Sequence, residues 1–189
     1  MRVAAPSAWL VLIAGAVGLL ASATLTAEKI RVLTDPAYVP SCNLNPVLSC
    51  GSVMGTSQAS LLGLPNPLLG VVAYTVVLVT GLLAVTKVAL PRWYWMGLTF
   101  GALAGAGFVH WLIFASLYRI GALCPYCMVV WTVTIPLLVA VASIAFAPSA
   151  SRPVAHAVHR WRWSLTALWF VTLILLIFIR FQDYWATLV

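Results

Sequence analysis

The chain alternates long apolar runs with short polar interruptions. Five runs, at roughly 8–27, 68–90, 93–118, 124–147 and 163–179, can each cross a hydrocarbon core of ~30 Å, which takes about 20 helical residues. The runs lack period-3.6 amphipathicity, as expected of helices that meet lipid on one side and protein on the other. The last run is short, but Trp161 and Trp163 at one end and Trp185 beyond the other serve as interfacial anchors. The pattern predicts an all-α integral membrane protein, a single membrane domain over 1–189. It has one sizeable loop at 28–67, rich in Pro, Asn, Gly and Ser, and a linker at 148–162 holding Pro148, Pro153, His156 and His159. Within the loop, residues 51–62 can form a short helix lying on or dipping into the membrane face, with Met54, Leu61 and Leu62 as its apolar contacts and Thr56, Ser57 and Gln58 as its polar ones.

Composition and charge narrow the function classes. The chain is 63% hydrophobic and 7% charged, against about 25% charged in soluble domains, so a water-soluble fold is excluded. The net charge of +7 does not point to nucleic acid, because the Lys and Arg residues are scattered singly rather than gathered in a stripe. They speak instead to orientation. With the N-terminus cytoplasmic, Arg2, Lys87, Arg92, Arg152, Arg160 and Arg162 lie inside, and Lys29, Arg31, Arg119 and Arg180 lie outside with Glu28, Asp35 and Asp183. Six positives against four give the N-in, C-out topology. Arg2, the first apolar run and "ASA" at 21–23 also fit a cleavable signal peptide. On either reading the 28–67 loop is outside.

Four cysteines carry the candidate chemistry: Cys42 and Cys50 in the outer loop, Cys124 and Cys127 opening the fourth span. All then lie on the outer side, the oxidising face of a bacterial membrane, where disulfides persist. Three pairings are possible, and sequence separation favours 42–50 and 124–127 as resting pairs. Pro125 suits the first position of a helix, which puts the Cys124 and Cys127 sulfurs on one face of its first turn. The helix N-terminus favours a thiolate there, and Cys127 lies ~4.5 Å deeper than Cys124. One thiol can thus face the loop while the other faces a lipid-soluble molecule. The pairs suit a relay by thiol–disulfide exchange. Two structural disulfides are the plain alternative. A zinc site made by all four cysteines fits less well, since zinc favours two close-spaced pairs.

These features together resemble the vitamin K epoxide reductase family, most closely its bacterial branch. The resemblance rests on the outer-loop Cys-x7-Cys, the hydroxyl of Thr56 six positions later, "PNPLLG" before span two, "HWLIFASLY" in span three and "CPYC" opening span four. It covers roughly residues 8–147. DsbB-type quinone reductases share the chemistry but place the CxxC pair in the first outer loop. The resemblance implies a four-helix bundle core plus a fifth transmembrane helix, in a bacterial inner membrane. It implies electrons passing from a separate thioredoxin-fold, DsbA-like partner to Cys42, then Cys50, Cys124 and Cys127, and on to a quinone, menaquinone or ubiquinone. Partner proteins outside the membrane would thereby gain disulfides. Vitamin K quinone or epoxide reduction with thiols only as donors is the second enzymatic reading.

The resemblance also implies a quinone pocket. Asn66 matches a residue that hydrogen-bonds a quinone carbonyl, and Thr56 one that orients the loop helix. Met54, Leu69, Phe108, Val109 and Ile113 would be pocket walls. Trp131 stands where animal enzymes carry a Tyr, and an indole can only donate a hydrogen bond. That difference makes epoxide reduction less expected. No thioredoxin domain follows the fifth span, so the partner would be a separate protein. His110, an ionisable residue in span three, is a candidate proton donor by position in the membrane, with a neutral inter-helix hydrogen bond as the alternative. Gly97, Gly101 and Gly105 predict close helix packing within the chain. Pro136 predicts a kink in span four, and Arg119 and Arg180 are expected to snorkel to the surface.

Overall fold

The computed structural model describes residues 3–35, 37–61, 64–146 and 153–187. Among them, five helices are long and apolar enough to cross a membrane. Helix α1 runs over Ala5–Thr34, α3 over Asn66–Val85, α4 over Arg92–Phe114, α5 over Pro125–Ala145 and α6 over Pro153–Arg180. Two short helices flank the loops, α2 at Cys50–Met54 and α7 at Gln182–Ala186. Strands β1 (Ser60–Leu61) and β2 (Leu64–Pro65) form a two-stranded antiparallel pair. The protein is an all-α membrane protein.

Helices α1, α3, α4 and α5 form the bundle, with α1 on α3 and α5, and α5 also on α4. Close approach is built by glycines of α1 and α3. A Cβ on Gly15 would stand 2.6 Å from the Leu78 Cα, and one on Gly81 would collide with the Leu12 backbone. Gly97, Gly101 and Gly105, expected to be the packing stripe, have nothing within 4 Å of a would-be Cβ. They face open space because α3 and α4 scarcely touch.

Helix α1 continues through Glu28, Lys29 and Arg31, a stretch expected to be loop. Those charges end the apolar run but not the helix, because the folded loop supplies their partners. The expected helix at 51–62 is shorter: α2 stops at Met54, a 3-10 turn follows at Ser57–Ala59, and the β1–β2 pair ends the loop. Leu62 lies outside the described residues. Much of the expected 148–162 linker is helical, since α6 begins at Pro153; Pro148 lies outside the described residues. Helix α5 runs through Pro136 without ending.

Helix α4 widens into a π-helical stretch at Ala115–Ile120, closed by Gly121 in the left-handed region at φ 71°. This reverses the chain into Cys124. Arg119 is exposed. Arg180 is exposed as well, and on its way its Nε donates to the Leu117 carbonyl at 2.8 Å. Phe181 and Trp185 then pack on the cluster of Val47, Leu117 and Leu123. The C-terminal end of the fifth long helix is so fixed against the cysteine-bearing end of the bundle.

Candidate active site

The site begins with a short backbone splice. Leu48 and Leu123 form an isolated parallel bridge, with the Leu123 N–H donating to Val47 at 2.7 Å and the Ser49 N–H donating to Leu123 at 2.9 Å. The next residue on one strand is Ser49 and then Cys50; on the other it is Cys124. Ser49 caps α2 through its side chain, which accepts from the Ser52 N–H at 3.2 Å. Cys124 caps α5 in the same way, its Sγ accepting from the Cys127 N–H at 3.5 Å. Two helix starts, each with a cysteine, are thus held side by side.

Cys42 and Cys50 form a disulfide. Cys124 and Cys127, expected to rest as a second disulfide, are free thiols. The Cys50 and Cys124 sulfurs are 3.1 Å apart and both residues are fully buried. Cys124 therefore touches the loop disulfide while its thiol also stays within hydrogen-bond reach of Cys127. Such a contact allows a thiolate at either sulfur to attack the other.

On the far side of this contact lies a cavity of about 720 Å3 in the gap between α3 and α4. That is within the range of small-molecule sites. Its walls are almost entirely apolar: Leu25 of α1, Val53 and Met54 of α2, Leu69 and Ala73 of α3, Phe108 and Val109 of α4, and Val130 and Trp131 of α5. The Gly97–Gly101–Gly105 stripe is part of the α4 wall. Cys124 and Cys127 both line it, so the sulfur that touches the loop pair belongs to the same turn as one facing the cavity.

Of the expected pocket residues, Asn66, Trp131, Met54, Leu69, Val109 and Thr56 line the cavity. Thr56 turns its hydroxyl back to the Val53 carbonyl at 2.8 Å, closing the end of α2. Asn66 donates from Nδ2 to the Gln58 carbonyl at 2.7 Å. Its Oδ1 and the Trp131 Nε1 are buried without a hydrogen-bond partner. Buried polar atoms are normally satisfied; two orphans on cavity-lining side chains suit a ligand that carries polar oxygens on an apolar body.

His110 and Ile113 lie elsewhere. His110 is on the α6 side of α4, where Trp169 Nε1 donates to its Nε2 at 2.9 Å and its Nδ1 is 2.7 Å from the Ala106 carbonyl. Nε2 joins α4 to α6, as in the inter-helix alternative, while Nδ1 is turned back to the carbonyl one turn earlier in α4, so the ring is not a donor to this cavity. Ile113 packs with Val47, Leu117 and Leu173 in the core beside the bridge. The helical face of each residue decided this, and uniformly apolar helices do not display their faces in sequence.

Several polar cavity groups are not evident from the sequence, Tyr74, Ser22 and Lys29 among them. Tyr74, from α3, holds Thr134 of α5 through a 2.7 Å hydroxyl pair, and Ser22 of α1 adds another hydroxyl. Lys29 is the one charged side chain on the cavity wall among the described residues. Nothing in the sequence marks Lys29 for the cavity, since it reads there as the start of the loop.

No curated protein matches the chain significantly. Residues 9–142, which cover nearly all of the bundle, the loop and all four cysteines, match the vitamin K epoxide reductase family. On that match over most of its length, the chain belongs to the vitamin K epoxide reductase family, a family of membrane oxidoreductases acting on quinones and disulfides.

Proposed function

We propose that the protein is a thiol–quinone oxidoreductase that reoxidises a thioredoxin-fold, DsbA-like partner and reduces a membrane quinone, so that proteins outside the membrane gain disulfides. The observation that carries this reading is the 3.1 Å contact between Cys50 and Cys124, with the CxxC turn opening on an apolar cavity. A structural pair of disulfides has no need of a sulfur poised against a second cysteine pair.

The cycle balances with the partner's two thiols as reductant and the quinone as oxidant. A reduced partner attacks Cys42, and resolution leaves the partner oxidised with Cys42 and Cys50 as thiols. The Cys50 thiolate then attacks Cys124 of a Cys124–Cys127 disulfide and releases the Cys127 thiolate. Cys42 resolves the Cys50–Cys124 mixed disulfide, which restores the loop disulfide and leaves two thiols at the cavity. Their two electrons and two protons convert a quinone to a quinol, and the Cys124–Cys127 bond closes again. The arrangement described above, loop pair oxidised and cavity pair reduced, fits the point just before quinone reduction.

The remaining residues bind and orient. Trp131 donates its N–H to one quinone oxygen and Asn66 addresses the other, while Met54, Leu69 and Val109 exclude water around the ring. Sidedness follows the charge distribution: N-terminus inside, cysteines outside, in the inner membrane of a bacterium. The test is quinol formation by the detergent-purified protein, driven by a reduced thioredoxin-like protein or by dithiothreitol. Cys127→Ala abolishes turnover with both donors. Cys42→Ala loses partner-driven turnover and keeps that driven by dithiothreitol. Wild-type protein that forms no quinol with either donor would refute the reading.

A further inference from the structure

The C-terminal turns of α1 carry two neighbouring charged residues to which the relay gives no part. Glu28 is 5% exposed, and a buried carboxylate is costly unless hydrogen-bonded. Its two oxygens take different donors: Oε1 accepts from the Ser41 hydroxyl at 2.7 Å, and Oε2 accepts from the Tyr38 hydroxyl at 3.0 Å. Ser41 directly precedes Cys42. Arg31 of the same helix donates to the Tyr38 oxygen at 3.3 Å, which completes the network. The adjacent Lys29 reaches the other way, its Nζ donating to the Met54 carbonyl at 2.6 Å. Met54 is the last residue of the helix that Cys50 begins.

We propose that Glu28 and Lys29 are positioning residues that grip the redox loop by its two flanks and keep the Cys50 sulfur on Cys124. This rests on the relay reading above and deepens it. The need arises from the chemistry. In the thiol form of the loop the covalent tie between its two flanks is broken. The loop is then held by the Leu48–Leu123 bridge, the Asn43 contacts to Ser49 and Gly51, and the two α1 side chains. Among these, the α1 pair anchors both the residue before Cys42 and the end of α2 to a transmembrane helix. Glu28 holds the incoming flank and Lys29 holds α2, so Cys50 meets Cys124 in the half-cycle when both must react.

The experiment uses the full chain with Cys42→Ser and Cys127→Ser, which leaves Cys50 and Cys124 as the two thiols. Diamide oxidises them: the thiols lose two electrons and two protons, one disulfide forms, and diamide becomes the corresponding hydrazine. The rate of closure is read from the loss of maleimide-reactive thiols. The parent closes rapidly, and Lys29→Met and Ser41→Ala each close about tenfold more slowly, the scale of one lost net hydrogen bond. Glu28→Ala shows the same slowing, and Lys29→Arg, which retains a donor, recovers most of the rate. Thermal midpoints in detergent separate slow closure from loss of fold, and Ser41→Ala keeps the test alive if Glu28→Ala does not fold. Variants that close within twofold of the parent overturn the clamp and leave the relay standing. A parent that does not close at all overturns the relay and the clamp with it.

Discussion

Trp131 is buried with its N–H unsatisfied on a wall that also holds Cys127. Under the proposed mechanism that N–H meets a quinone oxygen. Trp131→Phe keeps an aromatic body and removes the donor, so the quinone KM rises by roughly three- to tenfold, the effect of one net hydrogen bond. Reduction of the loop disulfide by the partner is unchanged in the same variant. His110 gives the contrasting expectation. Its ring bonds Trp169 rather than the cavity, so His110→Phe lowers the thermal midpoint through a loss of about 1 kcal/mol while the quinone KM stays the same. Sequence alone marks both residues as polar groups within the membrane. It shows the four cysteines directly, because their chemistry is rare and their spacing speaks. It does not tell which face of α4 holds His110, since lipid, cavity and neighbouring helix are all apolar surroundings.

At the scale of elements, hydropathy locates the five long helices, because each must satisfy its backbone internally to cross a bilayer. It misplaces their ends wherever charge is paired after folding. Glu28 and Lys29 read as the start of a loop, yet α1 continues to Thr34 around their hydrogen bonds. Glycine spacing misleads in a similar way. The regular stripe on α4 opens a cavity, and the irregular Gly15 and Gly81 carry the close contact of α1 with α3. Two substitutions separate these roles. Gly81→Val forces a side chain into the Leu12 backbone and destabilises by about 1–3 kcal/mol or more, read as a lower thermal midpoint. Gly101→Leu enters open space, so the protein melts near the wild-type midpoint while the quinone KM increases several-fold.

Across the whole molecule, the loop disulfide, the Cys50–Cys124 contact and the CxxC turn lie in series at one end of the bundle and lead into a cavity that runs along α4. The Leu48–Leu123 bridge that aligns them joins segments far apart in the chain, and nothing in either segment's local pattern announces the other. The fifth long helix supports the same end from outside, through Arg180, Phe181 and Trp185. Such an arrangement predicts an order of oxidation. The most direct test starts from protein with all four cysteines reduced and adds less than one equivalent of a menaquinone analogue. Rapid acid quenching, alkylation and mass spectrometry then identify which disulfide forms first. The account predicts that Cys124–Cys127 closes first and that Cys42–Cys50 appears later at its expense. A loop disulfide that forms first, or four thiols left reduced by the quinone, would contradict it.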